Sequence, residues 1–291
     1  MTALISQSEV DQFLSCSRKH YYAFGEKLQP RHFGQGLARG LLGHLVLDAY
    51  YSQFIRTRTS IGLRASSVED VQTALSVMNQ PEYLSDPVLL LELRILLEDY
   101  FRFYDGELNE WEVLAVEQEF RLDNEFPFKP DMIKRHRTTG KVLVVDHKFL
   151  YNFYSDSAID IMPQLAKYVG ALRKIGFQVD GAEYNMLRHR KNATQKFKRV
   201  EVTFTDKKID TFLKEQKIVA EKIREFRKLP LDEWRASVYR TASSFNCQHC
   251  SFLALCSTDL NGYNGRDLLV RTSYEPNTYG YLSDVEGEIV E

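Results

Sequence analysis

The stretch that decides the fold of this chain is a pair of short extended segments joined by a turn. The first segment is Pro127-Phe128-Lys129-Pro130-Asp131, and the second is Val142-Leu143-Val144-Val145-Asp146-His147-Lys148. Between them lies Arg137-Thr138-Thr139-Gly140, whose composition is typical of a turn. Two extended runs around such a turn predict a β-hairpin.

The predicted hairpin brings charged side chains onto one face of a sheet. Alternate side chains of a strand share a face, so Asp146 and Lys148 point one way and His147 points the other way. A turn centred on Thr138-Thr139 places Asp131 opposite Asp146, whereas a turn centred one residue later places it opposite Lys148. Directly paired Cβ atoms lie about 5 Å apart. Both registers therefore gather two carboxylates and one ammonium group on the same face.

Such a cluster suits the chemistry of phosphate transfer. Two adjacent carboxylates repel each other unless one is protonated or a cation bridges them. Hard divalent cations prefer carboxylate oxygens as ligands. A cation of this kind activates water and polarises a phosphate, and a neighbouring lysine stabilises the charge that develops. The alternative is a surface hairpin that carries an ordinary ion pair.

Pro130-Asp131 followed by Asp146-His147-Lys148 resembles the PD-(D/E)-x-K nuclease superfamily, and in particular its RecB-like and CRISPR-associated exonucleases. In those nucleases a Q-x-x-x-Y motif follows the D-x-K strand, faces the active site and contacts the DNA. Gln164 and Tyr168 match that motif and share one face of a predicted helix. An ordinary exposed helix face is the alternative for these two residues.

The resemblance extends to two further candidate ligands. The family places a metal-binding histidine in a Gly-x-x-x-His setting, and Gly40 to His44 matches that spacing. Family members often carry a glutamate in the first strand, where Glu117 fits best. A core histidine and an exposed strand glutamate are the respective alternatives.

Four cysteines predict a second metal site. Cys247, Cys250 and Cys256 form a C-x2-C-x5-C pattern, and Cys16 stands alone near the other end of the chain. The pattern resembles the C-terminal iron–sulfur motif of CRISPR-associated and AddB-like nucleases. The resemblance implies that the four thiolates hold one [4Fe–4S] cluster, which would staple the two ends together. A zinc site with four thiolate ligands is the alternative.

Periodicity and turn signals predict the remaining elements, which alternate between helices and strands. They are a first helix capped by Ser8, helices over residues 34–57, 158–176 and 206–228, a mostly helical stretch over 58–110, and strands over 111–122, 182–190 and 197–204.

The resemblance covers roughly residues 8–257 and implies an α/β fold. Its core is a restriction-endonuclease-like mixed central sheet flanked by helices, with an N-terminal helical region and an iron–sulfur staple. The expected domains are a helical region at 1–110 with Cys16 and His44, a nuclease core at 111–228, a cysteine motif at 229–257, and a partly ordered tail at 258–291.

The implied function is a metal-dependent DNA exonuclease that acts in DNA processing, repair or recombination. Asp131 and Asp146, with His44 and the main-chain carbonyl of His147, would bind Mg²⁺ or Mn²⁺. Lys148 would orient the attacking water or help to deprotonate it. The residues expected to contact DNA are Gln164, Tyr168, Arg188, Arg190 and Lys191.

Composition limits the other possibilities. The chain has 291 residues and a formal net charge of −2, so a DNA contact must come from local basic patches such as the one at Arg188–Lys191. A solvated hairpin tip is the alternative for that patch. The absence of a long apolar run or a signal-like start favours a cytoplasmic protein with no membrane segment, in a bacterial or phage-infected cell.

Two other functions and the oligomeric state stay open. The chain could be an accessory DNA-binding subunit with a weak nuclease site, because Ser17 and Lys129-Pro130 depart from the family pattern. It could also be a zinc protein without nuclease activity. The sequence leaves open a homo-oligomer or a partner helicase or recombination protein.

Overall fold

The computed structural model describes residues 4–32, 34–56, 66–79, 86–123 and 126–277. The chain divides into two compact units. We call residues 35–122 and 128–213 the sheet unit. We call residues 1–34, 123–127 and 214–291 the cysteine unit, because it contains Cys16 and the C-terminal cysteine motif. No helix in the described ranges has the length and apolar character needed to cross a membrane.

The helices are α1 (Gln7–Ser15), α2 (Ser17–His20), α3 (Gln35–Arg56), α4 (Val68–Leu75), α5 (Pro87–Phe103), α6 (Glu107–Glu110), α7 (Asp156–Ile161), α8 (Gln164–Lys174), α9 (Asp206–Arg227), α10 (Leu231–Ser237), α11 (Ser244–Gln248), α12 (Leu253–Asn261) and α13 (Arg266–Ser273). The strands are β1 (Leu28–Pro30), β2 (Trp111–Val116), β3 (Phe120–Leu122), β4 (Phe126–Phe128), β5 (Met132–His136), β6 (Val142–Leu150), β7 (Gly181–Arg188), β8 (Phe197–Val202) and β9 (Tyr274–Pro276). A π-helical turn covers Tyr21–Gly25, and a 3₁₀ turn covers Ser76–Asn79.

A five-stranded sheet in the order β2-β5-β6-β7-β8 forms the centre of the sheet unit. Strands β6 and β7 are parallel, and the other neighbouring strands are antiparallel. The predicted fold class, a mixed central sheet flanked by helices, is therefore confirmed. Parallel neighbours need a crossover connection over one face of the sheet, and α7 and α8 provide it.

The β5–β6 hairpin has the first of the two predicted registers. Met132 pairs with Val145 and Ile133 pairs with Val144, so the register continues to place Asp131 opposite Asp146. Strand β6 is buried from Leu143 to His147 because helices cover both faces of the sheet.

Two helices cover opposite faces of β6. Helix α3 lies on the face that carries Phe149, since a Cβ on Gly43 would come within 2.2 Å of the Phe149 ring. Helix α8 lies on the face that carries Lys148, which it contacts through Gln164. The core on the α3 side combines side chains from α3, α5 and the sheet: Leu47, Leu93, Leu97, Tyr100, Met132, Val145 and Leu187.

Several predicted boundaries are wrong for identifiable reasons. The single strand predicted over residues 111–122 is two strands, because the backbone bends at Glu117, which has a left-handed φ of 47°. The single helix predicted over residues 158–176 is split into α7 and α8 by Met162-Pro163, since a proline has no N–H to donate within a helix. The first helix is capped by the Ser6 side chain, which accepts from the N–H of Glu9, and not by Ser8.

The cysteine unit is built around a cluster of aromatic side chains. Tyr22 and Tyr274 both pack against Phe252, and Trp234 packs against Tyr21. Strand β9 pairs with β1, which ties residues after the cysteine motif to the N-terminal segment. Ordered structure thus reaches Asn277 inside the region expected to be a tail, and residues 278–291 of that region lie outside the described residues.

Candidate metal centre

Asp131 and Asp146 meet at the end of the β5–β6 hairpin. The main-chain N–H of His147 donates a hydrogen bond to Oδ2 of Asp131 at 2.6 Å, which fixes that carboxylate against β6. The Asp146 side chain is 2% exposed, and the Asp131 side chain is 14% exposed. The hairpin therefore holds one deeply buried carboxylate and one that remains reachable.

His44 reaches the same place from helix α3. A Cβ on Gly43 would come within 2.2 Å of the Phe149 ring, so any larger residue at this position would force the ring or the helix to shift. The next residue, His44, places Nδ1 3.5 Å from Oδ2 of Asp131. The α3–β6 contact thus brings the predicted histidine ligand to the predicted aspartate.

Glu117 completes a group of three potential ligands. Its left-handed backbone conformation is unusual for a residue other than glycine, and its N–H donates to the main-chain oxygen of Asp131 at 3.1 Å. His44, Glu117 and Asp131 offer ligand atoms that all lie within 4.8 Å of one another. Lys129 pairs with the Glu117 carboxylate at 2.5 Å. Strained conformations of this kind are often found at functional sites.

Lys148 connects the buried carboxylate to helix α8. Its ammonium group donates to Oδ1 of Asp146 at 2.9 Å and lies 2.8 Å from Oδ2. It also donates to Oε1 of Gln164 at 3.1 Å. The Gln164 amide donates in turn to the Tyr168 hydroxyl at 3.4 Å. The structure therefore brings together the predicted D-x-K and Q-x-x-x-Y residues.

Burial and the close contact between the two side chains shift the pKa values of Asp131 and His44. Burial would raise the pKa of Asp131, but the hydrogen bond and charge of His44 outweigh it and hold that pKa at about 2. Burial would lower the pKa of His44, but its contact with Asp131 raises that pKa above the ordinary value. Each member of the pair thus favours the charged form of the other.

For Asp146 and Lys148, burial is the largest influence on the pKa. Burial raises the pKa of Asp146 to about 6. The positive charge of Lys148 lowers this pKa, and the negative charge of Asp131 raises it. Burial would lower the pKa of Lys148, but the Asp146 carboxylate raises it. A cation bound beside both carboxylates would oppose this shift, because an opposite charge favours the ionised form of a carboxyl group.

These donors fit a divalent cation. Carboxylate oxygens with one imidazole nitrogen suit Mg²⁺ or Mn²⁺, and sulfur ligands are absent from this group. The His147 imidazole faces away from Lys148 and the carboxylates, so its predicted contribution could come only from the main chain.

The His147 side chain belongs to a buried polar network that sequence reasoning missed. Its Nδ1 accepts a hydrogen bond from the Asn185 amide at 2.8 Å, and the same amide donates to the Tyr100 hydroxyl at 2.8 Å. The Arg199 guanidinium can only donate, and its contact with Oδ1 of Asn185 fixes the amide orientation. Burial lowers the pKa of His147 to about 3. No spacing in the sequence links these residues.

The rest of this network balances buried charge. Arg199 also pairs with Glu107, which accepts a hydrogen bond from the Tyr51 hydroxyl at 3.0 Å. The Tyr51 ring stacks on His147 with 5.8 Å between ring centroids. Burial would raise the pKa of Glu107, but Arg199 and Lys134 hold it at about 2. The network therefore supports β6 from the side opposite Asp146 and Lys148.

The basic β7–β8 hairpin is only partly available for binding. Lys191 forms an ion pair with Glu92 at 2.9 Å, and Arg188 donates to the main-chain oxygen of Gln195. Arg190 lies over the exposed ring of Tyr151, 5.8 Å from its centroid. Among the predicted DNA contacts on this hairpin, Arg190 thus presents its charge beside an exposed aromatic ring.

All four cysteines line one cavity of about 250 Å³ in the cysteine unit. Within the described part of the chain, no three of their sulfur atoms lie within 4.8 Å of one another. Tetrahedral zinc with Zn–S bonds of about 2.3 Å requires sulfurs about 3.8 Å apart. The free thiols are therefore not drawn together as they would be around a bound zinc, and either a zinc ion or an iron–sulfur cluster could take them as ligands. Arg240 donates to the Cys256 sulfur at 3.2 Å.

Comparison with known proteins identifies the family of the chain. No curated protein matches the sequence. A crystal structure from Eubacterium rectale, provisionally named an exonuclease, is 12% identical with a TM-score of 0.47 and covers 85% of this chain and 88% of its own. The structure of SSO0001 is 14% identical with a TM-score of 0.32 and covers 72% of this chain and 84% of its own. The family model of the PD-(D/E)XK nuclease superfamily matches residues 4–257, and the chain belongs to that superfamily.

Proposed function

We propose that this nuclease is a metal-dependent DNA exonuclease of the RecB-like type. The observation that carries the proposal is the convergence of His44, Glu117 and Asp131 beside the Asp146–Lys148 pair. His44 comes from helix α3, Glu117 and Asp131 lie just after β2 and just before β5, and Asp146 and Lys148 lie on β6. An accessory subunit with a dead site would have no need to keep them together.

The proposed ligands are His44, Asp131, Asp146 and the main-chain carbonyl of His147, with Glu117 as a further carboxylate. When bound, Mg²⁺ or Mn²⁺ supplies Lewis acidity to the phosphate and lowers the pKa of water. The imidazole donor favours Mn²⁺. His44 must lose its proton to become a ligand, and Asp131 holds that proton in the free site. Affinity for the cation should therefore rise with pH.

Lys148 acts as a cation and not as a base. The Asp146 carboxylate raises the pKa of Lys148, so the ammonium form persists at neutral pH. An ammonium can donate to the attacking water and stabilise the charge that develops on the phosphate. Asp146 and Gln164 hold it in place through the two hydrogen bonds described above.

DNA would approach over α8 and the β7–β8 hairpin. Tyr168 and Gln164 are proposed to position the strand next to Lys148. Arg190 is proposed as the phosphate contact from the basic patch, because Lys191 is engaged by Glu92. Phosphate contacts of this kind position the substrate without reading its sequence.

The exonuclease subtype rests on the order of motifs along the sequence. An aspartate, a D-x-K strand, a Q-x-x-x-Y helix and a C-terminal cysteine motif occur in the RecB-like order. That order supports a role at DNA ends during processing, repair or recombination in the cytoplasm. The resemblance of the cysteine motif supports a [4Fe–4S] cluster on the four cysteines, which line one cavity, as the structural clamp of the cysteine unit.

The test compares linear and circular DNA. End-labelled linear single-stranded and double-stranded DNA should be digested with Mg²⁺ or Mn²⁺ and left intact with a chelator. Covalently closed circular DNA of both kinds should survive. Asp146→Ala should abolish digestion, whereas Asp105→Ala, which alters an exposed aspartate outside the site, should not. Cleavage of circular DNA would show that the enzyme is an endonuclease and not an exonuclease. Digestion without a metal would contradict the proposed mechanism.

A further inference from the structure

Tyr184 carries a buried hydroxyl group that the proposed mechanism does not use. Tyr184 lies on β7 and pairs with Asp146 on the parallel neighbouring strand β6. Paired residues of adjacent strands point to the same face, so the Tyr184 ring lies on the side of Asp146 and Lys148. The residue is 0% exposed, and its hydroxyl has no hydrogen-bond partner among the described residues.

An unpaired buried hydroxyl requires an explanation, because folding removes its hydrogen bonds to water and returns none. Phenylalanine would fill the same space without that cost. The neighbouring Tyr154 ring meets Tyr184 edge-on, with 6.2 Å between centroids, and offers no hydrogen bond to it. No described protein group thus satisfies this buried hydroxyl.

Asp146 is the acceptor that best fits this hydroxyl. It is the residue directly across from Tyr184, it is buried, and Lys148 is the cation near its two oxygens. Each carboxylate oxygen can accept two hydrogen bonds, so Lys148 leaves lone pairs unused on both oxygens. Burial and the negative charge of Asp146 both raise the pKa of Tyr184, so its hydroxyl remains a donor at any working pH.

We propose that Tyr184 is a positioning residue whose hydroxyl donates to the Asp146 carboxylate, directly or across one trapped water, when the cation occupies the site. The proposal rests on the proposed function. Carboxylates that bind metals are themselves usually hydrogen-bonded, and that second contact sets their orientation and basicity. Tyr184 would then keep Asp146 aligned while Asp146 and Gln164 hold Lys148 in place.

The test uses Tyr184→Phe and measures both metal binding and stability. Mn²⁺ affinity is measured by isothermal titration calorimetry, well below both melting temperatures, so that only folded protein is read. The variant should bind Mn²⁺ about tenfold more weakly. Its melting temperature without metal should be equal to or higher than that of the wild type, because the substitution removes an unsatisfied group.

Tyr50→Phe is the matched control. Tyr50 is also a buried tyrosine of the sheet unit, but its hydroxyl donates to Oγ of Ser66 at 2.8 Å. This variant should melt at a lower temperature and bind Mn²⁺ as tightly as the wild type. The two variants are thus expected to differ in both measurements, the melting temperature and the Mn²⁺ affinity.

Three results separate the inference from the proposed function. Wild-type affinity in Tyr184→Phe, while the wild type binds Mn²⁺ and digests DNA, overturns the inference and leaves the nuclease proposal intact. A lowered melting temperature with unchanged affinity overturns it as well, since the hydroxyl would then be structural. A wild type that neither binds Mn²⁺ nor digests DNA removes both proposals.

Discussion

Acidification should destabilise this protein through His147, and the magnitude follows from its surroundings. Nδ1 of His147 accepts from the Asn185 amide, whose orientation is fixed by Arg199, so a proton on Nδ1 would face another donor. Burial accordingly lowers the pKa of His147 from 6.5 to about 3. The unfolded chain has no such restriction and takes up the proton near pH 6.5.

The sign and size of the effect come from linkage. Below pH 6.5 the unfolded state binds a proton that the folded state refuses, so stability falls as the pH falls and continues to fall until about pH 3. Each pH unit in that window costs about 1.4 kcal/mol, which gives about 2 kcal/mol between pH 6.5 and 5. His147→Gln keeps an acceptor for Asn185 and removes the titration.

The assay is urea unfolding of both proteins at a series of pH values. His147→Gln should lose about 2 kcal/mol less than the wild type between pH 6.5 and 5. Asp146→Asn tests the opposite sign: burial raises the pKa of Asp146 from 3.8 to about 6, so protonation stabilises the folded state in that range. This variant should lose more stability than the wild type between pH 6 and 4. Parallel pH profiles for the wild type and His147→Gln would refute the reasoning.

Three further outcomes are expected. Lys148→Ala should retain Mn²⁺ binding but lose about 10²–10³ in single-turnover rate at saturating Mn²⁺, because its charge acts on the transition state; weaker Mn²⁺ binding with an unchanged rate would contradict this role. Gly43→Ala should lower the free energy of unfolding by about 1–3 kcal/mol, since its Cβ would collide with the Phe149 ring; an unchanged urea midpoint would contradict the close contact. Cys16→Ala should lose iron and sulfide and melt at a lower temperature than an anaerobically purified wild type. Full iron content in this variant would show that Cys16 is not a cluster ligand. A colourless wild type that contains one zinc ion would show that the site binds zinc and not an iron–sulfur cluster.

The hairpin could be predicted from sequence because its signals are local. Alternation along β6 placed Asp146 and Lys148 on one face, and the turn residues limited Asp131 to two registers. The long apolar pattern of α3 likewise placed His44 on a helix. Where signals were local and agreed with one another, the predicted elements were found with small shifts at their ends.

The missed features depend on contacts between distant residues. The residue types in and after Trp111–Val116 do not predict the left-handed backbone of Glu117. That conformation is held by the hydrogen bond from the Glu117 N–H to the main-chain oxygen of Asp131. The buried network of Asn185 and Arg199 joins strands that are neighbours only after folding. Pro163 is a local signal for the break between α7 and α8, whereas the helical pattern on either side of it favours one continuous helix.

The central claim is that His44, Glu117, Asp131 and Asp146 form one divalent cation site on a nuclease core. The most direct measurement is calorimetric titration of the wild type and of Asp131→Asn with Mn²⁺, at pH 6 and pH 8. The wild type should bind Mn²⁺ more tightly at pH 8, because His44 must release its proton to become a ligand, and Asp131→Asn should bind it at least tenfold more weakly. Equal binding by the two proteins, or no binding by the wild type at either pH, would contradict the account.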